Sequence, residues 1–105
     1  MSDYKVNTQQ LVCVATFTAK AGKIAELVDA LSALIADTRR EHGCIRYELN
    51  LSRENADKVT FIEKFVDEAA FNRHCEKDAI QHYFHQIMPA LVDSHHVETY
   101  HEVIA

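Results

Sequence analysis

The sequence has very few of the residues that interrupt regular structure. Among 105 residues there is one proline, Pro89, and there are only two glycines, Gly22 and Gly43. Because glycine and proline are the strongest markers of turns, their scarcity favours long helices and strands over many short ones. Two isolated glycines also cannot form a P-loop or a G-x-G-x-x-G fingerprint, so these nucleotide-binding motifs are excluded.

Other absences narrow the class of protein. No run approaches the ~20 apolar residues that a membrane span needs, and the N-terminal MSDYKVNTQQ lacks the basic and hydrophobic regions of a secretory signal. The formal net charge of −5 argues against nucleic acid or an anionic membrane as a partner. Cys13, Cys44 and Cys75 form no CxxC motif, which favours reduced thiols over a disulfide framework. We therefore expect a cytoplasmic protein.

The remaining composition is that of one globular domain. The chain is 48% hydrophobic and 26% charged, which lies in the ordinary globular range. We predict a flexible N-terminal segment over residues 1–10 and a single domain over residues 11–105. A domain of this size has a poor surface-to-volume ratio, so it gains stability from an oligomeric partner.

The first half of the chain predicts a strand followed by a helix. The run LVCVATF (Leu11–Phe17) is almost continuously apolar, which is typical of a strand buried on both faces. From Lys23 onward, apolar residues recur at the period of a helix: Ile24, Leu27, Val28, Leu31, Leu34 and Ile35. We expect this single helix to end with Arg39 and Arg40 in its last turn and Gly43 as its C′ residue.

The second half predicts two strands joined by the polar loop SRENADK. Cys44–Leu51 alternates, and its expected inner face carries Ile45, Tyr47, Leu49 and Leu51. Val59–Val66 returns as the next strand. Asp67 is a suitable N-cap for a second helical segment, which is expected to break near Asp78 and Pro89. His96–Ile104 is predicted as the last strand.

The order β-α-β-β-α-β predicts the ferredoxin-like arrangement, an α+β fold with both helical segments on one face of an antiparallel sheet. The first strand and the strand Val59–Val66 carry apolar residues on both faces. An exposed apolar sheet face of this kind marks an association site. We therefore expect a homodimer in which two sheets pack face to face.

A carboxylate and an imidazole are predicted on faces where a core would place apolar groups. By alternation, Glu63 shares a face with Phe61 and Phe65, and His74 lies on the apolar stripe of the second helix. If the hairpin pairs Leu51 with Val59, Tyr47 lies opposite Glu63. The three groups are candidates for proton exchange with a bound ligand. The alternatives are that Glu63 pairs with Arg46 or Lys64 and that His74 is a hydrogen-bonded core residue.

The strings GCIRYELNLSREN and KVTFIEKFVDEAAFNRH resemble the antibiotic biosynthesis monooxygenase family. The resemblance rests on the G-C-x-R-Y-E-L strand and the E-x-[W/F]-x-D-x-x-A-x-x-x-H segment. It implies a dimeric α+β barrel whose subunits each hold a pocket between sheet and helices. It also implies a monooxygenase that uses O₂ without a cofactor on a quinol-like or phenolic substrate. The catalytic candidates are then Tyr47, Glu63 and His74; the candidate pocket residues are Phe61, Phe65, Phe71 and His82.

Some family features are missing. Phe65 stands where many members have tryptophan, and the chain contains no tryptophan. The haem-degrading branch relies on an asparagine and a tryptophan, whereas Ala15-Thr16 and Phe65 occupy the matching positions, which argues against haem degradation. Ala79 replaces a second histidine that many members carry. His82 and His85 are spaced i, i+3, but no acidic or cysteine partner accompanies them, so no metal site is predicted.

Three functions therefore remain open from the sequence. The first is a cofactor-free monooxygenase. The second is an isomerase of a small hydroxy-ketone or phosphosugar-type metabolite on the same fold, since an acid and a histidine also serve enolisation. The third is a non-catalytic dimeric binding module.

Overall fold

The computed structural model describes residues 3–105, which form an α+β fold. The strands are β1 (Lys5–Val6), β2 (Leu11–Ala19), β3 (Cys44–Leu51), β4 (Lys58–Phe65), β5 (Val92–Tyr100) and β6 (Val103–Ile104). The helices are α1 (Ile24–Ser32), α2 (Ile35–Arg39), α3 (Glu68–Glu76), α4 (Asp78–His82), the π-helix Tyr83–Ile87 and α5 (Met88–Leu91). Within residues 3–105, no helix has the length and apolar character needed to cross a membrane.

The main sheet has four antiparallel strands in the order β3-β4-β2-β5. This is the strand order of the ferredoxin-like fold, so the predicted fold class is confirmed. The pairing of β3 with β4 places Leu51 opposite Val59 and Tyr47 opposite Glu63, as the sequence predicts. On the other side of β4, Glu63 pairs with Cys13 of β2.

The helices cover one face of the sheet, which we call the inner face. Every second residue of β2 and β4 is buried there, including Phe17 and Phe61. Helix α1 packs onto this face through Leu27 and Leu31, which are fully buried. The apolar side chains that repeat every 2 residues in the strands and every 3.6 residues in the helix therefore pack into one core.

A bulge changes the predicted face of Ile45. The register shifts between Cys44 and Arg46, so Cys44 lies opposite Phe65 while Ile45 is the extra residue. An extra residue in one strand shifts the alternation of side chains at that point. As a result the Ile45 side chain is 48% exposed, and its predicted place on the inner face is wrong. Leu51, at the end of the strand, is also exposed.

The first helical segment is also interrupted, because residues 33–34 separate α1 from α2. Helix α2 ends at Arg39, so Gly43 lies beyond its C′ position, contrary to the prediction. Gly43 has a φ of +107° and belongs to the turn into β3. A Cβ there would lie 2.8 Å from the Cβ of Ala70. Glycine is therefore required by both the backbone angle and the close approach of α3.

The second helical segment is broken where the sequence predicts. Lys77 has extended angles (φ −62°, ψ 142°) and separates α3 from α4. The π-helix then leads into α5, whose first turn contains Pro89. Because proline lacks an N–H group, it interrupts the helical hydrogen bonding around it.

The last strand of the main sheet begins earlier than predicted. Strand β5 spans Val92–Tyr100, whereas His96–Ile104 was expected. The start of this strand cannot be recognised from its polar sequence DSHHVETY, because only Val92 is buried and apolar residues do not alternate. The chain then forms β6, which pairs with β1. Of the predicted flexible segment 1–10, residues 1–2 lie outside the described residues, while Lys5 and Val6 pair with Ile104 and Val103.

The outer face of the sheet has an apolar centre and a polar rim. Val12, Val14 and Ile62 are half-buried at the centre. The sequence predicts a strand that extends to Val66, but β4 ends at Phe65, so Val66 lies beyond the strand and does not belong to this face. The rim carries the ion pairs Arg46–Glu48 and Lys64–Glu102.

Candidate active site

Helix α3 carries His74 to the inner face of the sheet. The carboxylate of Asp67 caps the helix by accepting a hydrogen bond of 2.8 Å from the N–H of Ala70. One turn further along, His74 points the same way as Ala70, and it is only 4% exposed. Its ring lies between aromatic groups, with centroids 5.3 Å from Tyr47 and 5.0 Å from Phe65.

Glu63 extends from the inner face of β4 and is also 4% exposed. Neither Arg46 nor Lys64 pairs with Glu63. Both lie on the outer face, where Arg46 binds Glu48 and Lys64 binds Glu102. Instead, Oε1 of Glu63 lies 3.8 Å from Nε2 of His74. Tyr47 lies directly across the strand pair from Glu63. The three predicted catalytic candidates therefore converge at one place in the fold.

Glu41, which sequence reasoning did not single out, is the second partner of His74. Its carboxylate oxygens lie 3.1 and 3.2 Å from Nδ1 of His74. The Glu41 side chain is almost as buried as that of His74, and its Oε2 also lies 3.4 Å from Nζ of Lys77. Glu41 follows α2 in the turn that leads to Gly43, where no periodic pattern indicates which way a side chain points.

The contact with Glu41 decides how the imidazole is protonated. A carboxylate can only accept, so Nδ1–H of a neutral His74 donates to Glu41. The lone pair on Nε2 then faces Glu63 and the interior. A histidine oriented by a carboxylate in this way is suited to act as a general base.

Burial keeps both His74 and Glu63 neutral around pH 7. Desolvation, followed by the charge of Glu41, raises the pKa of Glu63 to about 8. Desolvation also lowers the pKa of His74, although its hydrogen bond to Glu41 acts in the opposite direction. Their 3.8 Å contact is therefore not an ion pair. It places a proton-donating carboxylic acid next to a proton-accepting imidazole.

Tyr47 is a packed and protonated phenol. Its ring stacks on Phe61 with centroids 4.3 Å apart. Burial, then the charge of Glu63, raises the pKa of Tyr47 well above its ordinary value, while a hydrogen bond with Thr38 opposes this shift. Tyr47 is therefore suited to donate a hydrogen bond and unsuited to act as a base.

Two small cavities adjoin the carboxylic acid and the imidazole. The first, here called the tyrosine cavity, measures about 30 Å³ and is lined by Ala15, Phe17, Leu31, Leu34, Tyr47, Phe61, Glu63, His74, Ile80, Tyr83 and Phe84. The second, the cysteine cavity, measures about 50 Å³ and is lined by Cys13, Ala15, Glu63, Phe71, His74, Cys75, Ile80, Phe84 and Val97. The two cavities share the side chains of Ala15, Glu63, His74, Ile80 and Phe84.

Three larger depressions are present in the described part of the chain, and the smallest of them, of about 150 Å³, lies beside Glu41 and Lys77. One of about 360 Å³ follows strand β3 beside Arg39 and Arg46, and one of about 350 Å³ lies on the outer face beside Lys64 and Tyr100. Charged side chains line all three depressions. Tyr47 also lines that of about 360 Å³ and Glu63 that of about 350 Å³, but His74 lines none of them. The two cavities with aromatic walls are the better candidates for small-molecule chemistry, because ligand sites are mostly apolar with a few polar groups.

Comparison with known proteins identifies the family. The family model described as antibiotic biosynthesis monooxygenase matches residues 10–86. This chain belongs to the antibiotic biosynthesis monooxygenase family. The match includes Glu41, Tyr47, Glu63, His74 and both cavity-lining aromatic residues of the π-helix.

Solved structures agree with this family assignment. Protein SO0527 from Shewanella oneidensis is 69% identical, with a TM-score of 0.97, covering 98% of this chain and 100% of that chain. PA3566 from Pseudomonas aeruginosa is 30% identical, with a TM-score of 0.85, covering 92% of this chain and 96% of that chain. A structure described as an antibiotic biosynthesis monooxygenase is 23% identical, with a TM-score of 0.77, covering 86% of this chain and 95% of that chain. At this identity it supports the fold alone. The comparison with curated proteins finds no match.

Membership in the antibiotic biosynthesis monooxygenase family indicates a protein that binds small molecules. Two of the four predicted pocket residues line the cavities, and two do not. Phe61 lines the tyrosine cavity and Phe71 the cysteine cavity. Phe65 is buried behind them, with its ring centroid 5.5 Å from that of Phe71. His82 is exposed and lines neither cavity, because α4 turns Ile80 inward instead.

The structure also places at this site a tyrosine that the sequence analysis did not single out. Tyr83 begins the π-helix and lines the tyrosine cavity. A π-helical turn within an α-helix is frequent at functional sites. The hydrophobic period of the helix alone could not distinguish a tyrosine in the core from a tyrosine at the site.

Cys13, Cys44 and Cys75 are free thiols, and in residues 3–105 no group of three His, Cys, Asp or Glu side chains is placed to hold a metal ion.

Proposed function

We propose that this protein is a cofactor-independent monooxygenase that oxidises a quinol-like or phenolic small molecule with O₂, with Tyr47, Glu63 and His74 as its catalytic residues. The observation that carries the proposal is the buried series Glu41–His74–Glu63 beside two cavities with aromatic walls. Family membership supports the reaction class. Three free thiols are consistent with a cytoplasmic location.

The residues supply proton transfer and a dry environment, and the substrate supplies the electrons. Nε2 of His74 takes the phenolic proton, which leaves an electron-rich anion that passes an electron to O₂. Glu63, held neutral by burial, donates a proton to the reduced oxygen, and Tyr47 donates a hydrogen bond. The apolar walls exclude water from the radical pair. For a hydroquinone, one oxygen atom of O₂ enters the ring to give a hydroxyquinone and the other leaves as water.

The size of the cavities sets a condition on substrate entry. Cavities of about 30 and 50 Å³ hold O₂ or water, whereas ligand pockets typically measure about 300–1,000 Å³. Phe84 and Ile80 border both cavities and extend from the α4–π-helix segment. A ring-sized substrate therefore needs the side chains of Ile80 and Phe84 to move aside so that the two cavities join.

The oxygen-dependent reaction can be tested with 1,4-naphthohydroquinone and ¹⁸O₂. We expect enzyme-dependent oxygen consumption with one O₂ used per quinol, one ¹⁸O atom in the product and no hydrogen peroxide. Peroxide with an unlabelled quinone would indicate oxidation without oxygen insertion. The dimethyl ether of the same ring has no phenolic proton and should be inert.

Two other outcomes would contradict the monooxygenase proposal. Conversion of a hydroxy-ketone into its isomer in the absence of O₂ would identify the site as an isomerase, since the same acid and imidazole serve enolisation. Ligand binding without any conversion, unchanged when Glu63 and His74 are both replaced, would identify a binding module.

We also propose that the protein is a homodimer whose outer sheet faces pack together. The apolar centre at Val12, Val14 and Ile62 supports this interface, and family members often dimerise. Sedimentation velocity at micromolar concentration should give about twice the 12.0 kDa chain mass. The variant Val14→Asp should shift the equilibrium to monomer, because a buried unpaired charge is costly. Asp93→Asn, at an exposed site on β5, is the control. A wild-type monomer at these concentrations would refute the dimer.

A further inference from the structure

The hydroxyl of Tyr83 is a buried polar group without a protein partner. The residue is 1% exposed, and its oxygen has no hydrogen-bond partner among residues 3–105. The ring is fixed by edge-to-face contacts, with centroids 5.5 Å from Phe17 and 5.2 Å from Phe84. Most buried hydroxyl groups in proteins are hydrogen-bonded, and each exception requires a reason. A ligand that supplies an acceptor would remove the desolvation penalty of this group.

Tyr83 and Glu63 approach the tyrosine cavity from different points along the sheet. Glu63 pairs with Cys13 across β2, whereas Phe17, on which Tyr83 packs, pairs with Val59. Cys13 and Phe17 are four residues apart on the strand, so their Cα atoms are about 13 Å apart at 3.3 Å per residue. The cavity is therefore lined by the acid–imidazole pair, by aromatic side chains and by Tyr83, which packs further along the sheet.

Tyr83 can act only as a neutral hydroxyl. Burial raises its pKa well above the ordinary value, so the group stays protonated at any physiological pH. A protonated phenol donates one hydrogen bond, and the ring of Tyr83 packs edge-to-face on Phe17 of the sheet. An oxygen atom of a ligand is the complementary group.

We propose that Tyr83 is a specificity-determining residue, whose hydroxyl donates a hydrogen bond to a second oxygen on the aromatic substrate, remote from the oxygen that faces Glu63 and His74. This inference rests on the proposed function and deepens it. The preferred substrate is then a ring with oxygen functions at two ends, and rings with a single oxygen bind less well. A site built to hydrogen-bond a ligand discriminates against an analogue that lacks the group, because its own donor is left unpaired.

The test compares 1,4-naphthohydroquinone with 1-naphthol, by anaerobic titration of the wild type, Tyr83→Phe and the exposed control Tyr4→Phe. We expect the wild type and the control to bind the diol about tenfold more tightly, which is typical of one buried hydrogen bond. Tyr83→Phe should bind 1-naphthol as the wild type does and should bind the diol no more tightly than 1-naphthol, because the second hydroxyl of the diol then lacks a partner. Its thermal unfolding midpoint should be equal to or above that of the wild type, because the variant buries no unpaired hydroxyl.

A second comparison needs only the wild type, so it remains decisive if Tyr83→Phe does not fold. 4-Methoxy-1-naphthol offers an acceptor but no proton at its second oxygen. Because Tyr83 is the donor, this ligand should bind more tightly than 1-naphthol, by about tenfold. Equal affinity for the two would overturn the proposal.

The remaining outcomes separate this inference from the proposed function. If Tyr83→Phe keeps the preference for the diol, Tyr83 binds an ordered water only and the inference is overturned, whether or not oxygen is consumed. If the preference depends on Tyr83 but no oxygen is consumed, the inference stands and the monooxygenase proposal falls. If the wild type binds neither ring at millimolar concentration, both are overturned.

Discussion

Replacing His74 with glutamine is expected to lower kcat/KM for quinol oxidation by about 10²–10⁴-fold, the usual contribution of a positioned general base. Nε2 of His74 faces Oε1 of Glu63 at 3.8 Å, while its Nδ1 is held by Glu41 at 3.1 Å. Glutamine keeps similar volume and polarity but cannot take the phenolic proton. Initial rates of oxygen consumption against quinol concentration measure the effect.

The matched control is His85→Gln, which replaces an exposed histidine bound only to Gln81 and should leave the rate unchanged. Glu41→Gln keeps an acceptor for Nδ1, so it should lose much less activity than His74→Gln. If His74→Gln retains more than a third of the wild-type rate, His74 is a structural residue and not the base.

The pH profile of kcat/KM provides an independent check on the same residues. Because burial lowers the pKa of His74, the acidic limb should lie below the ordinary histidine value of 6.5. Loss of the proton from Glu63 should produce a basic limb near pH 8, and Glu63→Gln should remove that limb.

The second large effect concerns stability. Between pH 4.5 and pH 8.5, the free energy of unfolding of the wild type should fall by about 4 kcal/mol relative to that of Glu63→Gln. This magnitude follows from about 1.36 kcal/mol for each unit of pKa shift. The pKa of Glu63 is raised from 4.5 to about 8 in the folded state. The unfolded chain therefore releases this proton more readily, so the stabilisation is complete below pH 4.5 and is lost as the pH rises through about 8.

His74 has the opposite dependence, which is why the comparison with Glu63→Gln is needed. Its folded pKa is lowered, so its contribution is present above pH 6.5 and is lost as the pH falls. Taking the difference between the wild type and Glu63→Gln removes most of the His74 contribution, since both proteins contain it. Denaturant unfolding at one fixed protein concentration measures the difference, because a dimer's stability depends on concentration. A difference that does not change with pH would mean that Glu63 is ionised and solvated in the folded protein.

Sequence periodicity was sufficient for much of the fold and for part of the site. Alternation in the two hairpin strands placed Tyr47 opposite Glu63, because the inner face must bury Phe61 and Val59 and a one-residue slip would expose them. Likewise Asp67 caps α3 through a local hydrogen bond to Ala70, and that fixes the face on which His74 emerges.

Other parts of the fold leave little trace in the sequence. The bulge that exposes Ile45 depends on how β3 meets β4 and not on any local residue signal. The start of β5 is hidden because the strand lies at the edge of the sheet and is mostly exposed. Even Val97, which lines the cysteine cavity, is 43% exposed. A strand with one buried residue shows no alternation that could reveal its bounds.

The sequence by itself determined that an acid and an imidazole face inward, because side-chain direction repeats with a fixed period in strands and helices. Only the tertiary structure decided which groups they meet. Glu41 and His74 are 33 residues apart, and their contact exists because the turn at Gly43 lies against α3. The unpaired hydroxyl of Tyr83 likewise results from how the π-helix packs over Phe17. Periodicity specifies a face, whereas a partner across the core depends on the packing of distant elements.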